Sequence, residues 1–407
     1  MTKPMSDKLP PQQMLLFPLL ESLAEAGGQA SSQDAYERVA ERLGLDEAVT
    51  EARTDLGRAG KVNLYTRHVR WAQQKAKLLG LLEAPRRGQW KLTGRGRKAL
   101  REARPGVVVT VFETEAGVAL WANCEDAMRY VEPGLVRLVM TSPPYPLLRQ
   151  KAYGNLAGQA YIDWMLSLIE QMRRVLSDDG SLVLNLADVW NPGEATLSLY
   201  QERLLIKLED ELGLKLCQRF AWQNPSKLPG PAQWVTVQRK RVKNSLEQIY
   251  WLSAGDPPAD NRQVLQAYSE SMRRRLADGG ESRADRPSGY QMAEGAFAVD
   301  HGGAIPGNLI TAPNTESNGT YMKACREHGL PIHPARFPDQ LPRFFIKLLT
   351  QPGDVVADWF AGSCKTGEQA EDLDRRWLAA DRVLEYLQGA AFRFAERPGF
   401  RSTLAGV

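Results

Sequence analysis

From residue 135 to 189 the chain reads as strand, helix, strand, and this alternation restricts its fold more than any other feature. "LVRLVM" (135–140) is an apolar run of strand length, "YIDWMLSLIEQMRRVL" (161–176) repeats apolar residues at helical spacing, and "SLVLNLADV" (181–189) is a second strand. Asp178, Asp179 and Gly180 are expected to turn the chain between the last two. Such a unit implies a parallel sheet with helices on its faces. A second unit lies near the C-terminus: helix "DQLPRFFIKLLT" (339–350), turn "QPGD", strand "VVADWF" (355–360), glycine loop "AGSCKTG" (361–367), a helix, and strand "WLAAD" (377–381). About 130 residues are expected to interrupt the sheet between the two units.

Ligands of open parallel sheets bind beyond the carboxyl ends of the strands. The loops after "LVRLVM" and "VVADWF" both fall on that edge, so they are expected to share one site. In the second loop Ala361, Gly362 and Ser363 open a helix, which lets backbone approach a polar ligand at a helix N-terminus. An ATP-type phosphate loop requires glycine immediately before its lysine; Cys364 stands there, which argues against ATP. Asp381 ends its strand further on, where a carboxylate can accept from ribose hydroxyls, although an ordinary strand-end cap accounts for it equally well.

The first loop, "TSPPYP" (141–146), can neither continue a strand nor start a helix. Proline fixes φ, removes a donor and forces its predecessor out of the helical region. Pro143 and Pro144 should therefore hold a rigid, extended loop with its carbonyls facing outward. Ser142 and the Pro143 carbonyl then offer acceptors to an amino group, and Tyr145 offers a π face to a flat ring. A base with an exocyclic amine meets both demands.

The first hundred residues have a different character. "QMLLFPLLESLAEAGG" (13–28) and "SQDAYERVAERLG" (32–44) read as short amphipathic helices ending at glycine. "VNLYTRHVRWAQQKAKLLGLLE" (62–83) reads as a longer helix ending near Gly80, and "APRRGQWKLTGRGRKAL" as a hairpin with a basic turn and a short helix. Helices followed by a basic hairpin suggest a winged helix. Net charge is only +4, yet between Arg58 and Arg104 fourteen Lys/Arg face two Asp/Glu. Arg67, Arg70, Lys75 and Lys77 on one helix, with Arg86 and Arg87 in the wing, can neutralise phosphates without reading a base; a solvated basic surface is the alternative.

The remaining composition narrows the class. At 43% hydrophobic the chain can build a sizeable core, and its length suggests two or three domains. Cys124, Cys217, Cys325 and Cys364 lie too far apart for metal or disulfide patterns and are expected to be reduced, buried thiols, with no metal site. "MTKPMSDKLPPQQM" lacks the apolar core of a signal peptide and no apolar run reaches eighteen residues, so the expected location is cytoplasmic, without membrane attachment. Residues 253–330 are rich in Gly, Pro, Asn and Arg, as expected of an irregular specificity insertion.

Residues 108–400 resemble the β class of DNA amino-methyltransferases, in which the catalytic motif precedes the S-adenosylmethionine motif. "TSPPY" followed by "LLRQKAYGN" resembles the N4-cytosine branch, since adenine-directed relatives more often carry Asp or Asn before the two prolines. The resemblance implies an α/β class: a Rossmann-like, S-adenosylmethionine-dependent methyltransferase core with a mostly parallel sheet and an inserted target-recognition region. The catalytic role is carried onto Ser142, Pro143, Pro144 and Tyr145. "DWFAGS" is similar to the methionine-binding loop and "HPARFPDQLP" (333–342) to the segment that wraps the cofactor. These imply cofactor contacts from Asp358, Phe360, Ala361, Gly362, Ser363, Thr366, Asp381, His333, Pro334, Phe337 and Pro338.

"RVKNSLEQIYWLS" (241–253) is similar to a segment preceding the recognition region, and "RPSGYQ" and "GGAIPGNLI" recur in such regions. Trp359, Cys364 and Lys365 depart from the usual "DPFxGSGTT" loop, and Asp381 stands where glutamate is common; these departures bear on cofactor affinity more than on reaction type. Over about the first hundred residues the chain resembles the winged-helix domain of Mrr-type restriction proteins.

The expected function is sequence-specific methyl transfer from S-adenosylmethionine to N4 of a cytosine flipped out of double-stranded DNA. Adenine N6 methylation is the alternative within the class, and a DNA-binding protein with a decayed core is the alternative outside it. Phosphate contacts are expected from Arg239, Lys240, Arg241 and Lys243, beside those of the winged helix. A companion restriction endonuclease and a homodimer stay open. The expected domains are a winged helix (1–105), a catalytic part (106–252), a recognition region (253–330) and a cofactor-binding part (331–407).

Overall fold

The structure is a computed structural model that describes residues 15–55, 61–100, 102–146, 158–280, 295–315 and 319–402. Residues 1–14 and the "LLRQKAYGN" and "RPSGYQ" stretches lie outside the described residues. The chain divides into two compact units, Met1–Ala103 and Arg104–Val407.

In the smaller unit, α1 (Leu16–Glu25), β1 (Gln29–Ser31) and α2 (Ser32–Arg42) lead through a one-turn α3 (Glu47–Thr50) and a small hairpin, β2 (Arg53–Asp55) and β3 (Lys61–Asn63), to α4 (Leu64–Leu78). The hairpin β4 (Leu82–Arg86) and β5 (Gln89–Leu92) and a short α5 (Gly94–Ala99) complete it, and β1 joins the edge of β5 antiparallel. Caps set the helix starts: Ser31 accepts from the Asp34 N–H, Asn63 from Thr66 and Thr93 from Gly96. Tyr65, Val69, Ala72 and Ala76 of α4 are buried with Leu19, Leu20 and Leu23 of α1 and Trp90 of the hairpin, leaving the basic face of α4 outward. The order helix, strand, helix, helix, two-stranded wing is that of a winged helix; α3 and the β2–β3 hairpin are additions with no signal in the apolar spacing.

The larger unit is a sheet between two helical layers. Its elements are β6 (Val109–Glu113), β7 (Gly117–Trp121), α6 (Cys124–Arg129), β8 (Val136–Thr141), α7 (Gln159–Val175), β9 (Leu176–Leu186), α8 (Tyr200–Leu212), β10 (Lys215–Gln223), β11 (Leu246–Ser253), α9 (Glu270–Ala277), β12 (Leu309–Thr311), α10 (Thr320–Glu327), α11 (Gln340–Leu349), β13 (Val355–Asp358), α12 (Lys365–Asp372), β14 (Arg376–Asp381), α13 (Leu384–Ala391) and β15 (Arg401–Ser402). Among the described residues the strand order is β12-β10-β11-β9-β8-β13-β14-β7-β6-β15. The five central strands, β9, β8, β13, β14 and β7, are parallel. Alternation along the strands fills both layers: Leu182, Leu184 and Leu186 of β9 face the cluster with α7 and α8, while Val183 faces the cluster with α11 and α13. Eight buried side chains on one stripe of α7, from Tyr161 to Val175, fix it to the sheet; each contributes at most about 1.5–3 kcal/mol.

Three expectations are corrected. Ser177–Gly180 do not turn the chain but form an irregularity inside β9, where the partners jump from Val136↔Leu176 to Leu138↔Ser181. Asp179 is held by Arg137, and a Cβ on Gly180 would stand 2.9 Å from the Ser177 carbonyl oxygen. The sheet is not interrupted between the two units, because β10, β11 and β12 extend it beyond β9. Of the four free thiols, Cys217 is exposed on β10, the other three being buried.

Candidate active site

Strand β8 is central and almost wholly buried, and its last residue begins the site. Thr141 Oγ1 donates to Asp358 Oδ1 at 2.7 Å, tying the end of β8 to the end of β13. One residue later Ser142 Oγ donates to the Asn185 carbonyl at 3.2 Å, tying the same loop to β9 on the other side. Ser142, Pro143, Pro144 and Tyr145 follow without regular structure; Pro143 is buried, and the rest are half-buried. Tyr145 Oη lies 3.2 Å from Ser142 Oγ, and its ring packs against the cluster that holds Tyr161, Tyr200 and Trp164.

Asp358, 3% exposed, is the joint of the second loop. Besides Thr141, it accepts from Thr366 Oγ1 at 2.8 Å and from the Phe360 N–H at 3.1 Å. Burial raises its pKa, and these three donors oppose that shift. Asp381 ends β14 and receives the N–H groups of Gly362 and Val383, both at 2.8 Å. Burial pushes its carboxyl up to about 6 against those two bonds. Ala361 N–H donates to the Ala380 carbonyl and Cys364 N–H to the Ala361 carbonyl. The N–H groups of Phe360, Ala361, Gly362 and Cys364 are thus bonded within the protein, so this loop does not offer them to an anion. Two carboxylates line its edge, while Lys365 is buried and paired with Glu368, which also binds Arg393.

Gly362 has φ +50°, and a Cβ there would meet the His333 ring at 3.0 Å. His333 is held by its own N–H to Tyr321 Oη and stands edge-on to Tyr386, so the "HPARFP" segment packs directly on the glycine loop. Pro334 is exposed, Phe337 packs against the cluster that includes α11, and Pro338 is buried. Phe360 meets Trp164 edge-on at 6.1 Å, Ala361 and Ser363 are buried, and the Thr366 hydroxyl is committed to Asp358. Cys364 is fully buried with φ +52°, the left-handed conformation that glycine adopts without strain.

Residues that sequence reasoning did not single out also reach this edge. Ala122 N–H donates to the Asp381 carbonyl, and Glu125, just after β7, accepts from Trp164 Nε1 at 3.2 Å. Asn185 Nδ2 donates to Glu247 Oε2 at 3.2 Å, and Lys227 Nζ lies 3.1 Å from Glu247 Oε1. An asparagine in an otherwise apolar strand is the available signal for the second group; nothing distinguishes Glu125 from an ordinary helix-start residue.

The basic positions are placed unequally. Arg67, Arg86 and Arg87 are exposed, and Arg70 donates to Tyr36 Oη at 2.9 Å. In the β10–β11 connection Arg239 is exposed, Lys240 sits 4.6 Å above the Trp234 ring, Arg241 binds the Ala195 carbonyl, and Lys243 Nζ binds the carbonyls of Pro225 and Lys227. Arg241 thus ties the segment to the β9–α8 connection, and Lys243 braces the segment itself; both side chains are exposed.

The comparisons with known proteins bear on the family and the fold. Residues 13–102 match the Mrr N-terminal domain. The type II methyltransferase M.PvuII of Proteus hauseri is 42% identical over 264 residues, 64% of this chain and 78% of that protein. The type II methyltransferase M.XycI of Xanthomonas campestris pv. cyanopsidis is 26% identical over 311 residues, 70% and 87% of the two chains. The solved structure of PvuII DNA methyltransferase (cytosine-N4-specific) superposes with a TM-score of 0.57 at 36% identity, covering 69% of this chain and 87% of that one. Residues 136–392 match the DNA methylase family model, and the chain belongs to that family.

Proposed function

We propose that the chain transfers the methyl group of S-adenosylmethionine to the N4 amine of a cytosine turned out of double-stranded DNA. The observation that carries this is the Ser142 hydroxyl. Its single proton is directed at the Asn185 carbonyl, so its oxygen meets an incoming group as an acceptor. An exocyclic amine has the protons to satisfy it, and Tyr145 beside it offers a ring face for stacking. The cytosine-N4 specificity of the PvuII enzyme, at 36% identity in structure, favours that nitrogen as the accepting atom.

The glycine loop fits S-adenosylmethionine in charge as well as shape. Four of its N–H groups, those of Phe360, Ala361, Gly362 and Cys364, are already bonded and its acidic residues are Asp358 and Asp381, which suits a cationic ligand and not a phosphate. When bound, that cofactor supplies an activated methyl group on a sulfonium. The Asp381 carboxylate retains acceptor capacity for ribose hydroxyls beyond its two backbone donors. Gly362 and His333 shape the wall, and Ala361, Ser363 and Phe360 continue it; Asp358 and Thr366 act by holding the loop to β8.

Cytosine N4 is a poor nucleophile because its lone pair is delocalised into the ring. Ser142 and the Pro143 carbonyl each accept one amine proton, which directs that lone pair out of the ring plane toward the methyl group. With that cofactor bound, a carbon–nitrogen bond would form as the sulfur–carbon bond breaks, leaving a neutral thioether, and the nitrogen would shed one proton to solvent. Arg67, Arg70, Arg86, Arg87, Arg239 and Lys240 supply phosphate contacts in this reading. The loop departures do not abolish the site: Lys365 has its ion pair, and Cys364 is seated in a left-handed position.

Purified protein incubated with S-adenosylmethionine and plasmid DNA, followed by nucleoside mass spectrometry, is expected to yield N4-methylcytosine. N6-methyladenine alone, or no modified base, overturns the proposal.

A further inference from the structure

The β10–β11 connection, residues 224–245, leaves the sheet at the edge that carries Ser142, because β11 runs antiparallel to β9 and begins where β9 ends. It contains five Lys/Arg and no acidic residue. No residue between Pro225 and Lys243 is buried, yet the segment is fastened throughout. Asn224 N–H donates to the Ser245 carbonyl, Lys240 and Arg241 N–H groups return to the Trp234 carbonyl, and Lys243 Nζ bridges the carbonyls of Pro225 and Lys227. On this braced, basic segment Leu228 is 82% exposed.

Leu228 is also coupled to the active site. Its neighbour Lys227 pairs with Glu247, Glu247 accepts from the Asn185 side chain, and the Asn185 carbonyl accepts from Ser142 Oγ. Three bonds therefore set the position of an exposed leucine relative to the proposed catalytic serine. A large apolar side chain held in water by charge pairing, on a surface of one positive sign, is suited to a polyanion with an apolar interior. A nucleic acid duplex has both properties.

We infer that Leu228 enters the base stack of the substrate duplex beside the extruded cytosine and fills the space the base leaves. The inference rests on the methyl-transfer reading above. Apolar wedges between base steps offset the cost of unstacking, and extrusion of a paired base costs a few kcal/mol. Leu228 is a positioning residue here, acting on duplex opening and not on the transfer itself.

The test compares Leu228→Ala and Leu228→Met with the unaltered protein on two duplexes. Both duplexes carry the sequence at which the unaltered protein places its methyl group; in one the target cytosine is paired with guanine, in the other it faces an abasic residue. Leu228→Ala should lower kcat/KM at least tenfold on the paired duplex and less than threefold on the open one, and Leu228→Met should stay within threefold on both. Equal losses on the two duplexes, or no loss on the paired one, overturn the wedge. A lowered molar mass of Leu228→Ala in solution would assign the leucine to a contact between copies of this chain, and also overturns it. An unaltered protein that methylates neither duplex fails the methyl-transfer reading itself, a result visible before any variant is compared. S-adenosylmethionine affinity by calorimetry should be unchanged in Leu228→Ala, and a parallel loss there would mark a folding defect and refute the assignment.

Discussion

Replacing Thr366 by valine tests how the two loops are held together. The side chains are nearly the same size, Thr366 is 1% exposed, and its hydroxyl donates to Asp358 Oδ2 at 2.8 Å, so the substitution removes a bond without opening a cavity. A hydrogen bond to a charged group contributes about 1.5–3 kcal/mol, and here the carboxylate left behind is itself buried. That is a large share of a typical stability of about 5–15 kcal/mol. The pH dependence has a definite sign. Burial raises the Asp358 pKa above its unfolded value, so its contribution to stability falls as pH rises through the window between the two. Removing a donor raises the folded pKa further, so the deficit of Thr366→Val relative to the unaltered chain should grow with pH. Urea unfolding followed by tryptophan fluorescence, read in the transition of the larger unit, should show a larger loss near pH 8 than near pH 5. A loss under about 0.5 kcal/mol near pH 8, the range of an ordinary surface change, would refute the argument. So would a larger loss near pH 5.

Two further outcomes follow from the same geometry. With its carboxyl pushed up to about 6, Asp381 loses acceptor capacity as pH falls through that value. S-adenosylmethionine affinity measured by calorimetry should therefore weaken below about pH 6, and Asp381→Asn should be weaker near pH 8 and lack that pH step; a step that persists in Asp381→Asn removes the residue from the ribose site. Deleting residues 1–103 should weaken DNA binding and make its salt dependence shallower by roughly three or four in log–log slope, because that many phosphates would no longer be neutralised. An unchanged slope would take the winged helix out of the DNA interface.

Much of this molecule is legible in its sequence because the signals are local. The α7 stripe and the proline loop after Thr141 each depend on residues near in sequence. What is not legible depends on pairing across distance. "SDDG" carries turn residues, but neighbouring β8 and the Arg137–Asp179 pair draw it into a strand. β10 and β11 extend the sheet as an antiparallel pair, a partnership no periodicity announces. Asp358 has the position of a ligand contact because it ends a strand at the binding edge; its bonds to Thr141 and Thr366 make it the joint between two loops 217 residues apart. Cys364 adds a side chain where the loop favours glycine, and its φ of +52° is what the loop geometry demands.

In the proposed reaction Ser142 accepts an amine proton during transfer to cytosine. The direct measurement is modification-sensitive sequencing of DNA from cells expressing this chain, set against cells expressing Ser142→Ala. Loss of a hydrogen bond to a group gaining charge, about 1.5–3 kcal/mol, corresponds to roughly a ten- to hundredfold slower transfer. N4-methylcytosine is expected at one short motif in the first sample and little or none in the second. Equal modification in both samples, or N6-methyladenine in place of N4-methylcytosine, would contradict it.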